Sequence, residues 1–375
     1  MKRCVGLLLV FIFLGGFGGS GNAQEVIKIG TSMGLTGPFS VVAREMVLGY
    51  DLAFKEINES GGIHGRKVVQ IIYDDGYNPQ NTIKNLSRLI NKDKVPMLFA
   101  IYGTPPNAIV ALRLEVLKIP HFFPVSGASF LYRSPYIFTF QASYMAESRN
   151  MIERAVKDGY RNIAMVYLAN PYGWDCKVAS AKKAKALGVR LIPFSVKKSE
   201  DVSKVVDKLV KKKVDAVYVA IPNGFLVSLL KGLAQARYFP ALYAEYYSRL
   251  PDALKSLGDS VASSFPVAVT GRFLPKLDED YPAVRWYKAA LARFMPDKEP
   301  NPASFHGYIM ARALGEILKR VHSYDPQGIL KGAESIKNLD VGLREKLSFS
   351  SQDHVGLTHV FLYRVEKGRL VPLGK

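Results

Sequence analysis

Gly103-Thr104-Pro105-Pro106 interrupts the chain between an apolar run ending at Ile101-Tyr102 and a helical pattern over 107–117. A glycine there lets backbone approach a ligand closely, and Thr104 offers a hydroxyl and an amide as donors. Prolines at a helix start sit where N–H groups have no intrahelical partner anyway. They also remove donors, so an anion held here leans on Thr104, Asn107 and Ala108. The turn fits two roles, an anion-binding loop or a plain helix start. Catalytic chemistry finds less support. Asp74-Asp75 closes an apolar run and could hold Mg²⁺ or work as an acid–base pair. The six histidines, at positions 64, 121, 306, 322, 354 and 359, show neither HExxH nor another paired metal spacing. Neither G-x-S-x-G nor G-x-x-x-x-G-K-[ST] occurs. These residue types favour holding a ligand over transforming one.

The elements that must position these turns alternate. Short apolar runs at 26–31, 68–73 and 95–101 read as strands, and 43–60, 79–91 and 107–117 read as amphipathic helices. Gly61-Gly62 stops the first helix, and Gly65 turns the chain into the next strand. From about Met145 the grammar repeats, with strands predicted over 162–167, 190–194, 216–220 and 241–245 and helices over 173–187, 201–212 and 224–236. Three helices follow, over 281–294, 304–322 and 326–338, and then a strand pair, 360–365 and 370–372, turning at Lys367-Gly368. Strand–helix alternation predicts an α/β fold with two open parallel sheets, each covered on both faces. Ligands bind at the carboxyl ends of such strands, where helix N-termini offer unpaired N–H groups. Two facing rows of those ends would make a cleft that needs no catalytic group.

The chain has 375 residues, 48% of them apolar and 22% charged, the composition of a globular protein with room for two cores. Met1-Lys2-Arg3, the apolar Gly-rich run 5–17 and Gly21-Asn22-Ala23 predict a secretory signal cut after Ala23. That run is too short for a membrane span, which needs about 20 residues. The mature chain is thus expected to be free outside the cytoplasm, with Cys176 as its sole cysteine, a buried small hydrophobe. Net charge is +19. The lysines are spread along helices, as in Lys182-Lys183-Ala184-Lys185 and Lys211-Lys212-Lys213, without interleaved aromatics. Solvated helix faces explain that pattern better than a nucleic-acid surface does.

Ile27-Lys28-Ile29-Gly30-Thr31, Gly34-Leu35-Thr36-Gly37-Pro38 and the run from Ala53 to Arg66 through Asn58-Glu59-Ser60-Gly61-Gly62-Ile63-His64-Gly65, followed by Tyr73-Asp74-Asp75, together resemble a known pattern. It is that of the substrate-binding proteins of branched-chain amino acid ABC transporters, which have the type I periplasmic binding fold. The likeness continues through Ser126-Gly127-Ala128-Ser129 and Asn170-Pro171-Tyr172-Gly173. The resemblance implies two Rossmann-like parallel-sheet lobes joined by a three-crossover hinge. The first lobe is expected over 24–142 plus 271–347, the second over 143–270 plus 348–375. It also implies a monomer without catalysis or cofactor that captures a small carboxylate-bearing ligand and delivers it to a permease at the inner membrane. An amino acid is the first expectation. A non-amino-acid carboxylate such as an aromatic acid, an amide, or a sensor role for a membrane receptor are the alternatives.

By the same resemblance, Gly103 and Thr104 form one carboxylate-binding loop and Ser126, Gly127, Ala128 and Ser129 the other. Two short hydroxyl loops can hold a carboxylate without an arginine, each charge-assisted bond contributing roughly 1.5–3 kcal/mol. Tyr172 is the expected lid of the second lobe, with Trp174 either beside it or in the core. Glu245 falls where amino-acid binders keep an acid for the α-ammonium. Val41-Val42 and Ile221-Pro222-Asn223 stand where such binders tend to have tyrosines, which alters the side-chain pocket; Asn223 offers a polar contact instead. Tyr102 and Phe305 are expected as pocket walls.

Overall fold

The computed structural model describes residues 26–37 and 39–374. The expected secretory signal lies outside the described residues. Among those described, no helix is long and apolar enough to cross a membrane.

The first sheet contains β1 (Ile27–Met33), β2 (Val68–Asp74), β3 (Leu98–Phe99), β4 (His121–Phe122) and β5 (Ile137–Phe138), all parallel in the order β2-β1-β3-β4-β5. Helices α1 (Ser40–Glu59), α2 (Pro79–Asn91) and α3 (Thr104–Leu117) connect the early strands, and α4 (Tyr144–Lys157) leads to the second sheet. There β6 (Asn162–Leu168), β7 (Arg190–Val196), β8 (Ala216–Ala220), β9 (Ala241–Ala244) and β10 (Ala268–Arg272) run parallel. The hairpin β11 (Phe361–Glu366) and β12 (Arg369–Pro372) adds antiparallel, giving the order β12-β11-β10-β9-β8-β6-β7. Helices α5 (Pro171–Ala186), α6 (Asp201–Lys212), α7 (Asn223–Gln235), α8 (Leu250–Lys255) and α9 (Asp259–Ala262) cover this sheet. Every residue of β8 and β9 is buried, as a parallel sheet clothed on both faces requires.

The helix-rich tail returns to the first sheet. Helices α10 (Pro282–Phe294), α11 (Pro302–Leu318) and α12 (Pro326–Glu334) share one apolar core with β1 and α1, and the chain rejoins the second sheet only at β11. The tightest point is Gly49 of α1, where an added Cβ would lie 2.0 Å from the Ser304 carbonyl oxygen. No side chain fits there, so two helices distant in sequence pack backbone to backbone. The chain thus passes between the sheets three times, around 139–143, after Arg272 and before Phe361.

Several elements differ from the sequence reading. Helix α3 begins at Thr104, not at 107, and takes both prolines into its first turn. The expected strand over 95–101 pairs only at Leu98–Phe99, and β4, β5, β10 and α4 were not anticipated. The missed strands β4 and β5 are two residues long, too short to show a period of two.

Candidate functional site

Strands β1, β3, β6 and β8 all end at one interlobe cavity of about 120 Å³. Its first-lobe side is made by Phe39, Tyr77, Tyr102, Gly103, Thr104, Pro105 and Val125. Its other side is made by Tyr144 of α4, Leu168, Asn170, Tyr172, Ile221, Pro222 and Tyr247. Aromatic rings dominate. Phe39 and Tyr77 lie 4.4 Å apart, and Tyr144 stands edge-on to Tyr172 at 4.8 Å and to Tyr247 at 5.9 Å.

Gly103 sets the polar end. Its φ of +97° and the Tyr77 ring, 2.3 Å from where a Cβ would stand, both demand glycine. Thr104 then opens α3 with its hydroxyl 2.9 Å from Ser126 Oγ and 3.3 Å from Tyr144 OH. Pro105 and Pro106 carry no N–H, so Thr104 supplies the first donors of that helix. Burial pushes the Tyr144 hydroxyl up to about 12, and that of Tyr172 well above its ordinary value by burial and then by the nearby Glu245 charge. Both hydroxyls therefore stay protonated at neutral pH and serve as donors. The Tyr172 hydroxyl is buried without a partner among the described residues.

Of the residues expected from sequence, Tyr102, Gly103, Thr104 and Tyr172 line the cavity. Ser126 meets it through Thr104 and receives the Ala128 amide at 3.3 Å, while the Gly127 carbonyl accepts the Tyr144 amide at 2.9 Å. Ser129 instead bridges the lobes: its amide and hydroxyl donate to the two oxygens of Asp175 on α5 at 2.7 and 2.8 Å. Asn223 opens α7 and donates to the Ser248 and Arg249 carbonyls, outside the lining. Glu245 lies fully buried behind the wall, accepting from Tyr218, Ser148 and Cys176. Phe305 packs in the first core against Tyr287, and Trp174 is 53% exposed on α5. Cys176 is buried as expected, though its thiol also donates to Glu245.

Sequence reasoning missed Phe39, Tyr77, Tyr144, Tyr247 and Asp175. Tyr77 had a usable signal, because it follows Asp74-Asp75 by two residues in a turn that ends in Asn78-Pro79. Ser143, capping α4 through the Ala146 amide, could have located Tyr144 as a first-turn residue. The acidic pair itself shapes that first turn. Asp75 accepts from Ser32, Tyr77 and Thr82, and Asp74 from Thr36 and Gly76. Among the described residues, no group of His, Cys, Asp and Glu is arranged to hold a metal ion.

A two-sheet α/β fold with a cleft at facing strand ends is that of a two-lobed solute-binding protein. The periplasmic binding protein family model matches residues 26–369, and the chain belongs to that family of transport-associated binding proteins, which are not enzymes. It is 25% identical over 367 residues to a Leu/Ile/Val-binding protein homolog 1 of Brucella abortus strain 2308, covering 94% of this chain and 93% of the relative. A possible leucine/isoleucine/valine-binding protein from Rhodopirellula baltica shares the fold at a TM-score of 0.84 and 23% identity, over 94% of this chain and 97% of that one. A solute-binding protein of an ABC transporter from Rhodopseudomonas palustris, in complex with p-hydroxybenzoic acid, does so at 0.78 and 19%, over 93% and 95%.

Proposed function

We propose that this chain is the extracytoplasmic, monomeric receptor of an ABC importer for a small carboxylate with a flat apolar body, which it hands to a membrane permease. The observation that carries the ligand class is the division of the cavity. At one end the hydroxyls of Thr104 and Tyr144 line the cavity with Ser126 behind Thr104, all within 3.5 Å of one another, and the rings of Phe39, Tyr77, Tyr102, Tyr172 and Tyr247 dominate the remaining walls, with Val125, Leu168, Ile221 and Pro222 between them. Neutral donors at the first residues of two helices suit a carboxylate. The volume of about 120 Å³ suits a single ring, since a 150 Å³ apolar cavity accepts benzene. Glu245, the expected ammonium partner, is engaged by three donors behind the wall and contributes no surface to the cavity. A relative named for leucine, isoleucine and valine and a fold neighbour in complex with p-hydroxybenzoic acid are both compatible with a small carboxylate.

The test is a thermal-shift screen of benzoate, 4-hydroxybenzoate and phenylacetate against leucine, valine and phenylalanine, followed by calorimetry on the hits. A ligand present at 100 times its Kd stabilises by about 2.7 kcal/mol, a shift easily read. The aromatic acids are expected to raise Tm and the amino acids not to. Stabilisation by amino acids alone would return the ammonium role to Glu245 and overturn the reading. Thr104→Val should weaken a carboxylate ligand roughly tenfold to a hundredfold, the cost of one charge-assisted bond.

A further inference from the structure

Glu147 stands in the first turn of α4 and Glu245 directly after β9, and neither has any exposed surface. Glu245 Oε1 accepts from Tyr218 OH at 2.6 Å, Ser148 Oγ at 2.9 Å and Cys176 Sγ at 3.3 Å. Glu147 Oε1 accepts the Tyr246 amide at 2.7 Å. The Oε2 atom of each is buried with no hydrogen-bond partner among the described residues, and the two carboxyls lie close enough to act on each other's protonation. A carboxylate has no hydrogen to give, so two such oxygens can satisfy each other only if one of the carboxyls carries a proton.

Among the described residues, no Lys, Arg or His is among the groups that act most on the pair. Tyr144 and Ser148 face it from α4, Tyr172 and Cys176 from α5, Tyr218 from β8, and Tyr246 from the turn after β9. Tyr243 of β9 spends its hydroxyl on Asp158. From β10 comes Gly271, whose added Cβ would fall 2.1 Å from Glu147 Oε1, while the Arg272 guanidinium lies over the Tyr246 ring at 5.6 Å. Burial holds the hydroxyls of Tyr144, Tyr172 and Tyr218 and the Cys176 thiol above their ordinary ranges, which leaves the carboxyls as the groups that titrate. The pair also reaches the cleft. Tyr246 opens the 3-10 turn that carries Tyr247 into the cavity wall, and Cys176 lies one helical turn beyond Tyr172.

We propose that Glu147 is a positioning residue for the cleft: it shares a single proton with Glu245, and the bridged pair keeps Glu245 out of the cavity while fixing the turn that carries Tyr247. Loss of the proton sets two carboxylates against each other in an enclosed site. Glu147 then withdraws and releases the Tyr246 amide, loosening one wall. The cleft becomes proton-responsive, whatever solute it takes.

Ligand-free protein serves for the test, so its result is independent of the ligand reading above. Infrared spectroscopy at neutral pH is expected to show a carboxylic-acid C=O band in the wild type that Glu147→Gln and Glu245→Gln both remove. Hydrogen exchange then reads the Tyr246 amide between about pH 6 and pH 9. Once the pair titrates, its protection factor should fall up to tenfold per pH unit, the signature of one proton. In Glu147→Gln, whose amide still donates to Glu245 and whose carbonyl still accepts from Tyr246, the profile should be flat. Absence of the infrared band, or an unchanged profile in Glu147→Gln, overturns the proposal. If that variant does not fold, the wild-type band and profile decide, and the absence of either defeats it.

Discussion

Asp74-Asp75 and Glu147–Glu245 both place carboxyls near the carboxyl ends of parallel strands, yet they behave as opposites. The aspartates are adjacent in sequence, and each has its own donors. Asp75 takes Ser32, Tyr77 and Thr82, while Asp74 takes Thr36 and Gly76. The glutamates come from different elements and converge on each other, with donors for one oxygen apiece. Proximity in sequence therefore made no couple, and distance in sequence made one. What decides is the supply of donors: a carboxylate with its own set stands alone, and one short of donors finds a proton to share.

That contrast predicts unequal losses when a member is removed. Asp75→Ala leaves the buried Ser32 hydroxyl and the Tyr77 amide without their acceptor and Thr82 with the Asn78 carbonyl alone, a cost of about 2 kcal/mol or more. Glu147→Gln preserves both of its hydrogen bonds in kind and is expected to cost less than about 1 kcal/mol. Urea unfolding of the two variants checks this. Equal losses would mean that the glutamates are also separately anchored.

A third acid separates folding from closure. Asp175 of α5 receives two donors from Ser129, which follows β4 of the first sheet, so it ties the lobes together. A contact between lobes biases their closure more than the core of either. Asp175→Ala is expected to weaken ligand binding about fivefold to tenfold, near 1–1.4 kcal/mol. The ligand-free Tm should barely move. A large drop in that Tm would make Asp175 a folding residue.

The same division between local and non-local donors explains what could be read from the sequence. The alternation of strands and helices is a local signal, and it revealed two parallel sheets because β8 and β6 after Asn162 are unbroken apolar runs, β2 is interrupted only by Gln70 before Asp74, and β1 opens as Ile27-Lys28-Ile29. Gly103-Thr104 was legible because a glycine and a hydroxyl at a strand end leave few structural readings. Pro105 and Pro106 misled the helix boundary, since proline in a first turn looks the same as proline before it. Phe39 and Tyr247 were not legible as walls, because an aromatic at a loop could face core or cleft until the lobes are juxtaposed. Glu245 was noticed, but nothing in its neighbourhood of sequence announces Glu147. That partner enters through α4, a helix whose apolar stripe of Met151, Ile152 and Ala155 is short and starts on a buried acid.

The pH dependence of stability separates the buried glutamates from Asp74 by sign, while Asp75, raised by burial despite its three donors, runs with the glutamates. Burial raises the Glu147 and Glu245 carboxyls above the ordinary range, Glu147 the further because the Glu245 charge adds to it. The folded state then binds more protons than the unfolded one, so stability falls as pH rises from the unfolded carboxyl value toward the folded one. One shared proton limits the slope to about 1.4 kcal/mol per pH unit. Asp74 runs the other way. Partial burial works against its charge, but the donors Thr36, Gly76 and Leu35 outweigh it and hold the carboxyl below its ordinary value. Its contribution is complete above the unfolded value and disappears as pH falls through the folded one. Denaturation midpoints measured across pH for the wild type, Glu147→Gln and Asp74→Asn should therefore diverge in opposite directions. With rising pH the wild type loses ground to Glu147→Gln, whose amide does not titrate, and with falling pH it loses ground to Asp74→Asn. Because Asp74 is exposed and screened by solvent, its loss is the smaller of the two. A wild type that lost ground to both variants at the same end of the pH range would mean that Asp74 too answers to burial, and its donors would lose their deciding role.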